Sequence, residues 1–272
     1  MSSVNSQPGA APDALPGALS KLRWSAQPVL HIRQWAPTLW TLRVARPEGF
    51  TFTPGHYAKL GLPVGDEAAV WRAYSIVSAP AENFLEFLIT WVPDGAMSMQ
   101  LEKLEVGDAL MVQSAAMGFF VASQLGGGVA HGDSLWMLST GSGLGPYVSM
   151  LREGSLATQY RKLIVVHSAR TQAELAYADE FRELAARHTS VEYVPIVTRE
   201  AGHSALSGRI PLLIDSGTLA AHVGEQFDAS TARVMVCGNP DFTGDMRRLL
   251  TARNFQPCRR GLVGSMLFEN YW

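Results

Sequence analysis

From Leu22 to about Val121 the chain alternates short apolar runs with turn residues. Val29–Arg33, Leu39–Ala45, Tyr57–Leu62, Arg72–Val77, Phe84–Trp91 and Ala109–Gln113 each have the length of a strand. Between them stand Pro47-Glu-Gly49, Pro54-Gly55, Val64-Gly-Asp66 and Gly107-Asp108, which break a pleated run and reverse the chain. Strands spaced this evenly predict an antiparallel barrel or sandwich. Met97 to Leu104 is the exception: its apolar residues fall at helical spacing after a Pro-Asp-Gly turn.

The triplet Gly126-Gly-Gly128 ends this pattern, and the rhythm changes. Strands are predicted at Ser134–Ser139, Leu163–His167, Val191–Val197 and Val234–Cys237. Helices are predicted at Pro146–Arg152, Ala173–Arg187 and Asp241–Arg253, with short helical pieces at Leu212–Asp215 and Leu219–His222. Alternating strands and helices require crossovers, hence a parallel sheet covered on both faces. The predicted fold is two-domain: an antiparallel β-barrel over residues 21–126, then an α/β doubly wound parallel-sheet domain over 127–272. Residues 1–20, rich in Ser, Ala, Pro and Gly, are expected to be a disordered extension.

Composition narrows the chemistry. Of 272 residues, 47% are hydrophobic and 17% charged, enough apolar content for two cores. A formal net charge of -2 supplies no global basic field for nucleic acid or an anionic membrane. The two cysteines, Cys237 and Cys258, are too few for a disulfide scaffold or a cysteine-ligated cluster, and the seven histidines show no metal-ligand spacing. No metal is expected. No signal peptide or spanning segment is legible, so the expected location is the cytoplasm.

The segment Leu138-Ser-Thr-Gly-Ser-Gly-Leu-Gly-Pro146 joins the first strand of the second half to its helix. Glycine permits close approach of the backbone to a ligand, and free N–H groups at the helix start attract phosphate. Thr140, Gly141 and Gly143 are therefore candidates for a dinucleotide cradle; a purely structural glycine turn is the alternative. The second strand ends in His167-Ser-Ala169-Arg170, where folds that prefer NAD carry an acid for the ribose. An arginine fork suits a 2′-phosphate instead. Thr198-Arg199 and Arg209 follow in loop-like surroundings, making three arginines at element ends. In the first half, Arg72-Ala-Tyr-Ser75 offers a guanidinium for a diphosphate and a ring for stacking. Asp94-Gly-Ala-Met-Ser98 could present N–H groups and a hydroxyl to the same diphosphate.

Taken in order, Arg72-Ala-Tyr-Ser75, Pro93-Asp-Gly-Ala-Met-Ser98, Gly118-Phe-Phe120, Thr140-Gly-Ser-Gly-Leu-Gly-Pro146, Cys237-Gly-Asn-Pro240 and Glu269-Asn-Tyr-Trp272 resemble the ferredoxin/flavodoxin–NADP reductases of the bacterial subclass. The likeness runs from about Lys21 to Trp272. It implies FAD on the barrel: Arg72 at the diphosphate, Tyr74 stacked on the flavin, Ser75 near flavin N5, with Ala73 also among the FAD-binding residues. Ile89 and Thr90 would line the cofactor, and Ala96, Met97 and Ser98 would close over its diphosphate. It implies NADP(H) on the sheet, held by Thr140, Gly141, Gly143, Ala169, Arg170, Thr198, Arg199, Arg209, Cys237 and Asp241. Ser75, Cys237 and Glu269 are the implied catalytic residues, Glu269 by a loose correspondence. The tail would return to the flavin through Tyr271, with Trp272 on the adenine. The implied activity is hydride transfer from NADPH to flavin, then single electrons to ferredoxin or flavodoxin in transient electrostatic contact. Arg259 and Arg260 are candidates for the docking patch, and a monomer is expected. Two other readings use the same scaffold: a reductase component of a multicomponent oxygenase, and a non-catalytic flavin- or nucleotide-binding sensor.

Overall fold

The computed structural model describes residues 23–65, 68–127 and 133–271. The expected N-terminal extension and the placement of Trp272 lie outside them. Six antiparallel strands build the first unit: β1 (Trp24–Ala36), β2 (Leu39–Ala45), β3 (Tyr57–Val64), β4 (Ala68–Ser75), β5 (Phe84–Thr90) and β6 (Ala109–Gln113). They run in the order β4-β3-β6-β1-β2-β5. The two outer strands meet where Ile76 bridges Phe87 and the Val77 N–H donates to the Glu86 carbonyl at 2.8 Å, curling the sheet into a barrel. Val44, Leu60, Ile76, Leu85, Phe87 and Leu110 fill its interior with no exposed surface. The helix α1 (Ala96–Leu101) sits over one mouth.

β1 is longer than its sequence suggests, because register shifts at Val29/His31 and Gln34/Ala36 interrupt the alternation by which a strand is read. Its first part pairs with β6 and its second with β2, so this one strand passes around the barrel.

The second unit is a parallel sheet of β7 (Ser134–Thr140), β8 (Lys162–Ala169), β9 (Val191–Val197), β10 (Ala232–Gly238) and β11 (Met266–Asn270), in the order β11-β10-β7-β8-β9. The helices α2 (Gly145–Glu153), α3 (Leu156–Gln159), α4 (Ala178–Arg187), α5 (Ile210–Asp215), α6 (Thr218–Val223) and α7 (Pro240–Ala252) flank it. From the first strand, β7, the chain winds outward through β8 and β9, then crosses back to β10 and β11. The direction of winding therefore reverses between β7 and β10, and a crevice opens there at the strands' carboxyl ends. The last strand, β11, was not predicted; its Met-Leu-Phe-Glu-Asn sequence is short and lacks the alternation of a half-buried strand.

The helix expected at Ala173–Arg187 is divided. A short 3₁₀ turn covers Gln172–Glu174, and α4 begins only after Tyr177, which adopts φ 59°. Left-handed backbone is costly for a tyrosine. The ring is buried 5.1 Å from Trp35 and its hydroxyl donates to Glu86, so tertiary contacts override the local helical pattern. One core cluster joins both units: Ala36, Leu39, Val77, Leu88 and Phe120 of the barrel pack with Leu144, Tyr147 and Met150 of the sheet unit. Among the described residues no helix is long and apolar enough to cross a membrane.

Candidate functional site

Two clefts lie side by side along this seam. The first encloses about 660 Å³ and is lined by Tyr57, Arg72, Ala73, Tyr74, Ser75 and Leu88 of the barrel, by the 95–98 segment, and by Glu269, Asn270 and Tyr271 from the tail. The second encloses about 490 Å³ between the barrel turn at Thr38–Leu39 and the sheet's carboxyl edge. Thr90, Ser142 and Tyr271 line both, so the clefts share a wall. Both volumes lie within the range of small-molecule and cofactor sites.

In the first cleft, β4 delivers Arg72, Ala73, Tyr74 and Ser75 in succession as the strand runs out at the barrel rim. Tyr74 is mostly buried and its hydroxyl is pushed up to about 12 by desolvation, partly offset by Arg72; it stays neutral at physiological pH. At the start of α1 the Val92 N–H donates to Ser98 Oγ at 2.9 Å, which folds the 92–98 loop onto the helix. The first N–H groups of a helix have no intrahelical partner, so Ala96 and Met97 offer theirs to the cleft. Ile89 does not line the cleft. Strand alternation turns its side chain into the barrel core, and Leu88 and Thr90 on the opposite face reach the cleft.

On the lining of the first cleft Ser75 Oγ donates to Glu269 Oε2 at 3.0 Å, and Cys237 Sγ lies 3.7 Å from the same oxygen. Burial raises the Glu269 carboxyl to about 7, against the lowering effect of both hydrogen bonds. Burial also drives the Cys237 thiol and Tyr271 hydroxyl well up. All three acids are therefore protonated, or half so, near neutrality. Cys237 has no exposed surface and lines neither cleft; its thiol stands behind Glu269. Strand β11 runs parallel to β10 with Cys237 paired to Glu269, which is why an unpredicted strand delivers a predicted carboxylate.

The turn after β7 forms the floor of the second cleft. A Cβ on Gly143 would stand 2.3 Å from the Cys237 carbonyl oxygen, and one on Gly238 would stand 2.2 Å from Thr140 Oγ1. Glycine is therefore required at both positions for the turn to press against β10. Gly141 has φ +54°, and its carbonyl lies 3.1 Å from Nε2 of the fully buried His167. Desolvation lowers that imidazole to about 4, so it is neutral; with Nε2 protonated it donates to the turn. Thr140 Oγ1 is buried without a partner among the described residues.

Arg170, Arg199 and Arg209 all line the second cleft, with Ala169, Thr198 and Gly141. Arg170 is bound to Glu174 at 2.6 Å and reaches Thr38 Oγ1 at 3.2 Å; Arg209 is bound to Asp245 at 2.5 Å. Asp241 is exposed in the first turn of α7 and lies outside the lining, whereas Asn239 lies within it and caps α7 by accepting from the Phe242 N–H at 2.9 Å. Arg259 and Arg260 occupy a hairpin ahead of β11, at the opposite end of that strand from Glu269 and on the order of 15 Å away.

A barrel and a doubly wound sheet with paired clefts between them define a class of two-nucleotide oxidoreductases, and family models match accordingly. One described as an oxidoreductase FAD-binding domain covers residues 36–120, and one described as an oxidoreductase NAD-binding domain covers 137–248. Over 251 residues the chain is 39% identical to the flavodoxin/ferredoxin–NADP reductase of Escherichia coli (strain K12), covering 92% of this chain and 99% of that one. It is 33% identical to the ferredoxin–NADP reductase of Pseudomonas aeruginosa, covering 89% and 95% of the two chains. The crystal structure of a ferredoxin NADP+ reductase from Neisseria gonorrhoeae with bound FAD and NADP superimposes with a TM-score of 0.86 at 29% identity, over 92% of this chain and 99% of that one. The chain belongs to the flavodoxin/ferredoxin–NADP reductase family, and its cofactors are FAD and NADP(H).

Proposed function

We propose that the first cleft holds FAD, the second holds NADP(H), and the chain exchanges electrons between NADPH and ferredoxin or flavodoxin at their shared wall. The observation that carries this reading is the shared wall itself: Thr90, Ser142 and Tyr271 belong to both clefts, so ligands in the two would be in contact. The donor set fits both nucleotides. Arg72 and the N–H groups of Ala96 and Met97 suit a diphosphate, and the Tyr74 ring suits a flavin face. Three arginines around the second cleft suit the 2′-phosphate of NADP(H), and Thr140 and Gly141 of the close-packed turn line the same cleft.

FAD, when bound, supplies the conversion between a two-electron hydride donor and one-electron carriers. In sum, NADPH and two oxidised carriers give NADP⁺, two reduced carriers and one proton. The chain's own residues arrange this. Thr90 Oγ1 donates to Ser142 Oγ at 2.8 Å, tying the barrel rim to the dinucleotide turn and fixing the approach of the two ligands. Ser75 presents its hydroxyl at that point, held by Glu269. Glu269, poised near 7, is able to hold or release a proton beside the reacting rings, with Cys237 supporting it from behind. Carrier docking is transient and electrostatic, and the working unit is a monomer in the cytoplasm.

The test is steady-state reduction of ferredoxin and of flavodoxin, with NADPH compared with NADH. Carrier reduction preferring NADPH is expected; a preference for NADH would overturn the assignment of the three arginines. Flavin that is reduced by NADPH yet passes electrons to no external acceptor would favour a sensor.

A further inference from the structure

Away from both clefts, a polar cluster gathers around the buried Glu86 where the two units meet, and its outer members Arg43, Arg152, Tyr177 and Glu180 line a separate cavity of about 730 Å³. Glu86 on β5 has no exposed surface, yet it is bound by Arg43 of β2, by Arg152 Nη1 of α2 at 3.0 Å and by the Tyr177 hydroxyl at 2.9 Å. Arg152 also grips Glu180 of α4 with two bonds of 2.7 and 2.9 Å. Because Tyr177 donates to the carboxylate, its oxygen accepts from Thr41 Oγ1 at 2.7 Å, which in turn accepts from Trp35 Nε1 at 2.8 Å. Barrel residues thus hold α2 and the start of α4 through a satisfied network, and Tyr177 is kept at φ 59° by it. Glu86 is the fully buried charge of the network, while Arg43 and Glu180 are partly exposed, so loss of Arg152 would strand a carboxylate in the interior.

The cluster is joined to the site by two rigid elements. Along β5, Glu86, Leu88 and Thr90 share the face turned to the sheet unit, and Thr90 bonds Ser142 of the dinucleotide turn. Along α2, Gly145 packs on Val77, Ser149 donates to the Ser78 carbonyl at 2.7 Å and Arg152 reaches Glu86, a helical face that starts at the same turn. Glu86 and Thr90 are about 13 Å apart along the strand, so a rocking on the order of 5° at one end displaces the other by about 1 Å. A displacement of that size changes hydride-transfer rates severely.

We propose that the Glu86–Arg152–Tyr177 cluster is an interdomain latch that sets the spacing of the two clefts, making Arg152 and Tyr177 positioning residues for hydride transfer. The inference rests on the reading that the clefts hold FAD and NADP(H). Its test uses FAD-loaded Tyr177→Phe, Arg152→Met and Arg152→Lys proteins under anaerobic stopped flow. Three quantities are read: the rate of flavin reduction by NADPH, the long-wavelength charge-transfer absorption of the nicotinamide–flavin pair, and the Kd of 2′,5′-ADP. Tyr177→Phe keeps the ring and removes only the hydroxyl. It and Arg152→Met are expected to slow flavin reduction roughly tenfold or more and weaken the charge-transfer band, with the 2′,5′-ADP Kd changed less than about twofold. Arg152→Lys, which keeps a cation beside Glu86, is expected to recover part of the rate. Reduction within about twofold of wild type in both Tyr177→Phe and Arg152→Met would overturn the latch. So would losses of FAD or of 2′,5′-ADP affinity large enough to account for the slower rate. Failure of the wild-type protein to bind 2′,5′-ADP, or of its flavin to be reduced, would refute the cleft reading and the latch with it.

Discussion

Glu269 shows how a side chain acquires a role from its surroundings. An ordinary glutamate ionises near 4.5; burial beside the first cleft raises this one to about 7. Its folded form thus binds a proton between these values that the unfolded chain has released, so stability is fully present below about 4.5 and falls as pH rises towards 7. Thermal melts of wild type and Glu269→Gln between these pH values should show the wild type losing stability relative to the variant as pH rises; parallel profiles would mean that the carboxyl is not raised. The arginines of the second cleft give a second residue-level prediction. Arg170→Ala and Arg199→Ala should raise the KM for NADPH by roughly tenfold or more while moving that for NADH little, because only NADPH carries a 2′-phosphate for them to hold. Equal changes in both would count against the assignment. The arginines were legible because they stand at element ends in a loop-rich context. Their partners Glu174 and Asp245, and the Thr38 contact across the domain seam, were not, because nothing local marks a carboxylate as the mate of one arginine rather than another.

At the scale of elements, the turn between β7 and α2 is the most constrained. The Gly143→Ala side chain would meet the Cys237 carbonyl, a backbone atom that cannot rotate away, so the turn or β10 must shift. This variant should lose several degrees of Tm and most of its 2′,5′-ADP binding, measurable by calorimetry; retention of both would show that the turn has room to move. This element was readable because strand, glycines and helix follow one another without interruption. The barrel strands were readable for the same reason: turn residues punctuate them at short intervals. Three features escaped. The start of α4 was hidden because Tyr177 is forced out of the helix by contacts with residues 91 and 136 positions away in sequence. The length of β1 was hidden by its register shifts, and β11 by its irregular composition. Each depends on a partner distant along the chain, which no window of neighbouring residues contains.

For the whole molecule, a net charge of -2 leaves carrier docking to local patches of positive charge rather than to an overall field. Carrier reduction should therefore fall as ionic strength rises from low salt, while NADPH oxidation with a small uncharged acceptor changes little. Carrier turnover indifferent to salt would exclude electrostatic docking. The proposed electron transfer depends on two nucleotides meeting across Thr90, Ser142 and Tyr271, the residues that line both clefts. An anaerobic titration of the purified FAD-loaded protein with NADPH, followed at the flavin absorption band, tests it most directly. The band should bleach with one equivalent of NADPH per bound flavin. Protein that takes up no FAD, or flavin that stays oxidised under excess NADPH, would contradict it.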